Sequence, residues 1–163
     1  MWLTLYSTLI RYSTLFTHDR LSVADTLRRY VDEEEMVRRI IFIAATEAFH
    51  AAKLAFRSFE ARTRKLLLPI HSGPETLEEA VADYIVRLVC SKPSLWSTLK
   101  FRNLDLFDVE KCTREVVKQM DANPIISYPA ECDFSLLNSF IREVSKVAFE
   151  MQAVQEGYQT NRN

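Results

Sequence analysis

From Glu33 to Leu68 the chain reads EEEMVRRIIFIAATEAFHAAKLAFRSFEARTRKLLL, without a Gly or Pro and with apolar residues at helical spacing. An acidic run from Asp32 to Glu35 leads in, and Arg62, Arg64 and Lys65 close the stretch just before Pro69. That charge order complements a helix macrodipole and Pro69 supplies a stop, so the pattern predicts one unbroken helix of roughly 50 Å at about 1.5 Å per residue. On a helical wheel Val37, Ile41, Ala44, Ala48, Ala51, Ala52, Ala55 and Phe59 share one arc, beside Phe42, Phe49 and Phe56, which recur every seven residues. The small residues should let another helix approach closely. A second apolar strip of Ile40, Ile43, Leu54 and Ala61 implies neighbours around most of the helix, and Arg39, Thr46, His50, Lys53, Arg57 and Arg64 form a polar, basic arc between the strips.

The rest of the chain is read around this helix. Leu3, Leu5, Tyr6, Leu9, Ile10, Tyr12 and Phe16 predict a first helix to about Thr17, and Asp19 is a candidate cap for a short second one with Leu21, Ala24, Leu27 and Tyr30 on one face. After a loop at 68–74, with Pro74 suited to a first helical turn, Leu77, Ala80, Val81, Tyr84, Ile85 and Leu88 predict an amphipathic helix ending before Pro93. Leu88 to Arg102 fits neither helix nor strand. Asp108 should cap a helix to about Met120 with Val109, Cys112, Val116, Val117 and Met120 inward, and Pro124 to Pro129 reads as an extended connector. Asp133 should cap a last helix with Leu136, Leu137, Phe140, Ile141, Val144, Val147, Ala148 and Met151 on its apolar face, and Gly157 is its expected stop. The fold class is all-α, an irregular bundle of about five or six helices around one long central helix, and 1–163 reads as a single helical domain.

Composition narrows the chemistry. With 163 residues and 48% hydrophobic side chains a core is within reach, and only 2 Gly and 5 Pro favour long helices. A net charge of −1 argues against general affinity for nucleic acid, yet Arg38 to Lys65 carries seven basic residues against Glu47 and Glu60, so any polyanion contact should be local. Cys90, Cys112 and Cys132 lack CxxC spacing and are expected as reduced thiols. No apolar run is long enough to span a membrane. The first sixteen residues lack a basic start and an A-x-A site, which argues against a signal peptide, while Arg11, Arg20 and the lack of acids before Asp19 leave a mitochondrial presequence open.

Candidate chemistry is sparse. Glu47 and His50 form one Glu-x-x-His unit, which di-iron bundles use twice, and no second copy exists; His18 and His71 lie in predicted loops. The only glycines, Gly73 and Gly157, build no phosphate loop, and no motif sets a base beside a nucleophile, so no catalytic residue, metal or cofactor is expected. The basic arc is either a solvated face or a stripe for anionic head groups or acidic segments, and Trp2, Trp96 and Phe101 either anchor at an interface or belong to the core.

Longer strings carry a resemblance. VRRIIFIAATEAFHAAKLAFRSFEARTRKLL (Val37 to Leu67), LEEAVADYIV (Leu77 to Val86), LDLFD (Leu104 to Asp108), MDANPIISYPAECDFSLLNSFI (Met120 to Ile141) and VAFEMQA (Val147 to Ala153) resemble the C-terminal domain of the mitochondria-eating protein (Mieap) family over about 9–153. In that family the helix holding Asp83, Tyr84 and Ile85 runs almost directly into the Leu-Asp-Leu-aromatic-Asp turn. Here about fifteen residues, near 88–102, are interposed, read as a loop of this chain or, the favoured reading, as translated intron. The family also carries a coiled coil before this domain and a further stretch after it, so self-association into larger bodies is not assumed for this chain, although self-association as such stays possible.

The resemblance implies mitochondrial quality control by induced vacuoles that take up damaged mitochondria, in the cytoplasm and at the mitochondrion, outer membrane or matrix. It also implies peripheral contact with cardiolipin and with mitophagy receptors of the outer membrane, without catalytic residues. Two expectations follow for the central helix: Arg39, Lys53, Arg57 and Arg64 meet anionic lipid, or Phe42, Phe49 and Phe56 dock a partner helix in an apolar groove.

Overall fold

The structure is a computed structural model that describes residues 2–68, 72–90, 107–126 and 133–160. Helix α1 (Trp2–Thr14) continues through a wide π turn (Leu15–Asp19) into α2 (Arg20–Leu27). The long helix α3 (Glu34–Leu67) follows, then α4 (Leu77–Cys90), α5 (Val109–Asp121), a 3-10 turn (Phe134–Leu137) and α6 (Asn138–Thr160). The fold is all-α, and no strand occurs among the described residues. No described helix is long and apolar enough to cross a membrane.

The central pair is α3 with α6, the two longest helices. Ala44, Ala48 and Ala52 of α3 and Ala148 and Ala153 of α6 are fully buried, so the two backbones approach through small side chains as the alanine arc predicts. The helices run the same way, because two core clusters follow each other along both. The first joins Val37, Ile40, Ile41 and Ala44 to Leu137, Phe140, Ile141 and Val144, closed by Val116 and Met120 of α5 and by Leu15, Ala24 and Leu27 of the N-terminal arm. The second joins Ala52, Phe56 and Phe59 to Ala148, Phe149 and Ala153, with Val81 and Ile85 of α4. Phe149 is its hub: Phe107 stacks on it at 4.5 Å between centroids, and Phe56 meets it edge-on at 5.4 Å.

Local chemistry sets most of the boundaries. Asp108 accepts a hydrogen bond from the Lys111 amide at 2.9 Å, and Asp133 accepts one from the Ser135 amide at 2.9 Å, so both expected caps are present. Asp133 opens a 3-10 turn that leads into α6, and its carboxyl is held below the usual range by the bonds from Ser135. Helix α4 begins at Leu77, beyond the position that Pro74 suggested. Thr76 and Glu79 form a reciprocal capping box there, with the Thr76 amide 2.9 Å from Oε2 of Glu79 and the Glu79 amide 3.3 Å from the Thr76 hydroxyl.

Other expectations are corrected. Asp19 does not cap; its backbone is helical, its side chain makes no cap bond, and the arm runs through it. Leu15 and Ala24 are both buried although nine residues at about 100° each would set them on opposite sides of a straight α-helix, and the wide turn absorbs part of that difference. Leu21 and Tyr30 are consequently exposed, not inward. The second apolar strip of α3 is covered only near its start: Ile40 is buried and Ile43 partly so, whereas Leu54 is 52% exposed and Ala61 faces solvent. Gly157 does not stop α6, which continues to Thr160. The readings of Arg102 and its neighbours in 91–106, of His71, and of Ser127 to Cys132 lie outside the described residues, as do the side chains of Trp2, Trp96 and Cys90.

Arg11 ties the arm to α6, pairing with Glu150 and, at 3.5 Å, with Glu143. Burial pushes the Glu150 carboxyl above its ordinary 4.5, against the pull of Arg11 and a bond from Thr8. Its raised value means that the folded state takes up this proton before the unfolded chain does as pH falls. Removing the guanidinium with Arg11→Met should therefore cost about 1–2 kcal/mol at pH 7, below the roughly 3–5 kcal/mol of a fully buried pair because Arg11 is partly solvated. In urea titrations the deficit should shrink as pH falls below neutral towards 4.5, because a neutral Glu150 no longer needs its partner; a deficit that grows would contradict this assignment. Truncating the second core at its hub, Phe149→Ala, should cost about 3–5 kcal/mol in the same titrations. Leu54→Ala should stay within about 0.5 kcal/mol because Leu54 is exposed.

Candidate functional site

The solvent side of α3 is where charge and exposed apolar surface meet. Arg39 reaches Glu35 at 2.9 Å one turn back, and Arg64 lies 3.4 Å from Glu60 and 3.7 Å from Glu78 of α4. Between these two neutralised ends Lys53 and Arg57, one turn apart, are exposed and have no acid partner among the described residues. The four residues expected on one strip do share it, but its net positive charge is concentrated at Lys53 and Arg57. His50 is exposed beside them with its Nδ1 3.9 Å from Glu47, and no group of three metal-capable side chains occurs among the described residues.

Phe42, Phe49 and Phe56 have three different fates. Phe42 is 70% exposed, Phe49 is partly covered, and Phe56 is 2% exposed against Phe149. Seven residues at about 100° fall roughly 20° short of two turns, so a heptad series on a straight helix rotates steadily, here from solvent into the core. Phe56 is therefore part of the second core and offers no docking surface, whereas Phe42 and Phe49 line an open groove.

That groove, about 580 Å³, lies between the arm and α3 with α6 as its floor. Phe16, Leu21 and Ala24 form one wall, Ile41, Ala45 and Phe49 the other, and Phe140, Val144 and Val147 the floor. Arg20, Arg28 and Arg38 stand among its lining with Glu34. Glu34 receives a bidentate pair from Arg28, both contacts at 2.9 Å, and lies 3.5 Å from Arg38; the Arg28 hydrogen bond holds its carboxyl below the usual range. Arg28 also pairs with Asp25, whereas Arg20 lies over the Phe16 ring, 5.8 Å from its guanidinium, with no acid partner among the described residues. The sequence pattern misses this groove because it places Leu21 inward and because nothing local reports that the arm stands off from α3. The signal that could have exposed it is the spacing of Arg20, Arg28 and Arg38 on either side of the turn before α3.

The remaining thiol chemistry is enclosed. Cys112 is buried with its Sγ 3.6 Å from the Ser145 hydroxyl, and burial pushes its pKa up, which keeps it a neutral thiol.

Comparison with known proteins places the chain. The family model described as Mitochondria-eating protein matches residues 7–161. Similar relatives carry that name in Xenopus laevis, 48% identical over 144 residues (88% of this chain, 27% of the relative), and in Danio rerio, 47% identical over 144 residues (88% and 26%). The Homo sapiens relative is 41% identical over 147 residues (90% and 24%). The chain thus spans about a quarter of the length of the curated relatives it matches. No solved structure matches it. With a matching family model over nearly its whole length, the chain belongs to the mitochondria-eating protein family.

Proposed function

We propose that this chain is a non-enzymatic module of mitochondrial quality control that meets anionic lipid, cardiolipin being the leading candidate, through the exposed side of α3. The observation that carries the reading is the pair Lys53 and Arg57, exposed, one turn apart and without acid partners among the described residues. Two cations held on a rigid helix present a fixed positive surface to a negatively charged leaflet, and each is worth about 1 kcal/mol near such a surface. Family membership supports the mitochondrial part, since the relatives are named for consuming mitochondria. In this reading the chain works at the mitochondrion, on the outer membrane or in the matrix, or from the cytoplasm, as part of the clearance of damaged organelles by induced vacuoles.

The non-enzymatic part is supported by where the reactive groups lie. Cys112 is a buried neutral thiol, and His50 projects from an exposed helix face with Glu47 beside it. A second reading, a scaffold that docks a partner helix or a mitophagy receptor of the outer membrane, is favoured by one observation, the 70% exposure of Phe42 at the groove. It loses Phe56, which is buried.

Vesicle sedimentation separates the readings. The Lys53→Gln/Arg57→Gln chain should bind cardiolipin-containing vesicles about 30-fold more weakly than the parent, the equivalent of about 1 kcal/mol per cation, and parent binding should weaken as salt rises. Affinity that is unchanged by the double substitution would reject the strip as the lipid contact.

A further inference from the structure

The groove between the arm and α3 is chemically unlike the strip. Its walls and floor are carbon, supplied by Leu21, Ala24, Ile41, Ala45, Val144 and Val147 among others, and its charges are confined to Arg20, Arg28, Arg38 and Glu34. Arg28 and Arg38 share that one carboxylate, Asp25 adds a second acid on Arg28 alone, and Arg20 has no acid partner among the described residues, so the groove is electropositive where it is polar. Around it Phe42 is 70%, Leu21 52% and Phe16 43% exposed, an apolar collar on a surface otherwise rich in charge.

Volume and chemistry together select the occupant. About 580 Å³ is the size of a small-molecule site, where a docked helix, about 10–12 Å across with its side chains, needs a longer open trough. A hydrophilic anion would satisfy the arginines and leave the carbon walls wet; a neutral apolar ligand would fill the walls and leave Arg20 without an anion and Arg38 with only its 3.5 Å share of Glu34. An alkyl chain ending in a phosphate satisfies both, because guanidinium groups bind phosphate oxygens in a planar fork and the chain covers the walls. The exposed collar then indicates where the chain comes from: Phe42, Leu21 and Phe16 can enter the head-group region of a bilayer and give the chain an apolar route from the membrane. On α3 this collar adjoins the strip, since Phe42 lies between the groove-facing Ala45 and Phe49 and the exposed Thr46 and Lys53 on the helical wheel.

We propose that the groove takes up one acyl chain of an anionic membrane phospholipid, drawn from the bilayer, while Arg20 and Arg38 hold its phosphate. This rests on the reading that the chain meets an anionic membrane, and it adds an apolar site that the strip does not supply. Arg28 stays engaged in its bidentate pair with Glu34 and is not assigned to the phosphate.

Photo-cross-linking tests it. The chain is bound to vesicles of phosphatidylcholine and phosphatidylglycerol whose phosphatidylglycerol carries a diazirine near the end of one acyl chain, irradiated and mapped by mass spectrometry. Cross-links are expected on the groove segments of α3 around Ala45 and of α6 around Val144. Ala45→Trp, which fills the groove, should reduce them at least tenfold while sedimentation with the same vesicles changes less than threefold; its thermal transition is compared with the parent to confirm folding. Arg20→Gln/Arg38→Gln, two exposed substitutions, should reduce the groove cross-links at least fivefold without touching the walls. Cross-links confined to the outer surface, or unchanged in both variants, overturn the proposal. Vesicle binding that fails altogether rejects the membrane reading; a monomeric lysophosphatidic acid that still protects the groove from hydrogen exchange would then locate the failure in the bilayer source and overturn the proposal as stated. Self-association that buries Phe42 with or without lipid, read by light scattering, would overturn it in favour of a second copy as the occupant.

Discussion

Everything in this molecule is arranged around the close approach of α3 and α6 through alanine. Ala44 and Ala48 are buried in the first core cluster with Ile141 and Val144, and Ala52 is buried in the second with Ala148 and Ala153, all five alanines at 0% exposure. Alanine loses no rotamer freedom on burial, so the seam costs little side-chain entropy and lets larger groups pack at its edges. That is why the bulky core residues lie beside the seam: Ile40, Ile41 and Phe140 at one end, Phe56, Phe59 and Phe149 at the other. A larger side chain in the seam would push the two backbones apart and uncouple both clusters at once, since overpacking in a dense core is relieved only by backbone movement.

Because α6 takes one side of α3 along its length, the other sides are free to differ between its halves. The first half is also covered by α5 and the arm, the second by α4. Neither set closes the whole circumference, and the uncovered remainder is where Lys53, Arg57 and Leu54 face water. The groove arises from the same geometry on the adjoining side of α3: the arm is held to α6 by Arg11 with Glu150 and Glu143, and to the start of α3 by Arg28 with Glu34, so it is pinned at two points while the space between them stays open.

What could be read in advance follows the range of the interactions involved. The long helix, the caps at Asp108 and Asp133 and the alanine arc depend on residues within a few positions of one another, and period and cap chemistry report them directly. The arm departs from its sequence pattern because a π turn shifts helical phase without any Gly or Pro to announce it, so Leu21 faces outward where the period places it inward and Asp19 lies within a continuous helical run where its cap chemistry predicts a boundary. The phenylalanine series was legible as a heptad and its divergence was not: the rotation of about 20° per seven residues is arithmetic, but which end turns inward depends on Phe149, more than ninety residues away. The groove depends on three elements at once, and no local pattern encodes a space between them.

Charge along α3 shows how a chain of nearly zero net charge can still present a local positive surface. The acids Glu34 and Glu35 are spent on Arg28, Arg38 and Arg39 at the start of the helix, and Glu60 with Glu78 of α4 is spent on Arg64 towards its end. Glu47, the acid in the middle, lies 3.9 Å from His50, so mid-helix Lys53 and Arg57 have no acid partner among the described residues. Pairing Lys53 and Arg57 with acids one turn away as well would have made α3 a more stable isolated helix by a few tenths of a kcal/mol per pair. The gap in that pattern falls on the exposed side, next to Phe42 and the groove, so the positive charge and the apolar collar occupy neighbouring parts of one rigid surface. A membrane rewards that combination and water alone does not, because water solvates the cations equally well wherever they lie and gains nothing from an exposed phenylalanine beside them.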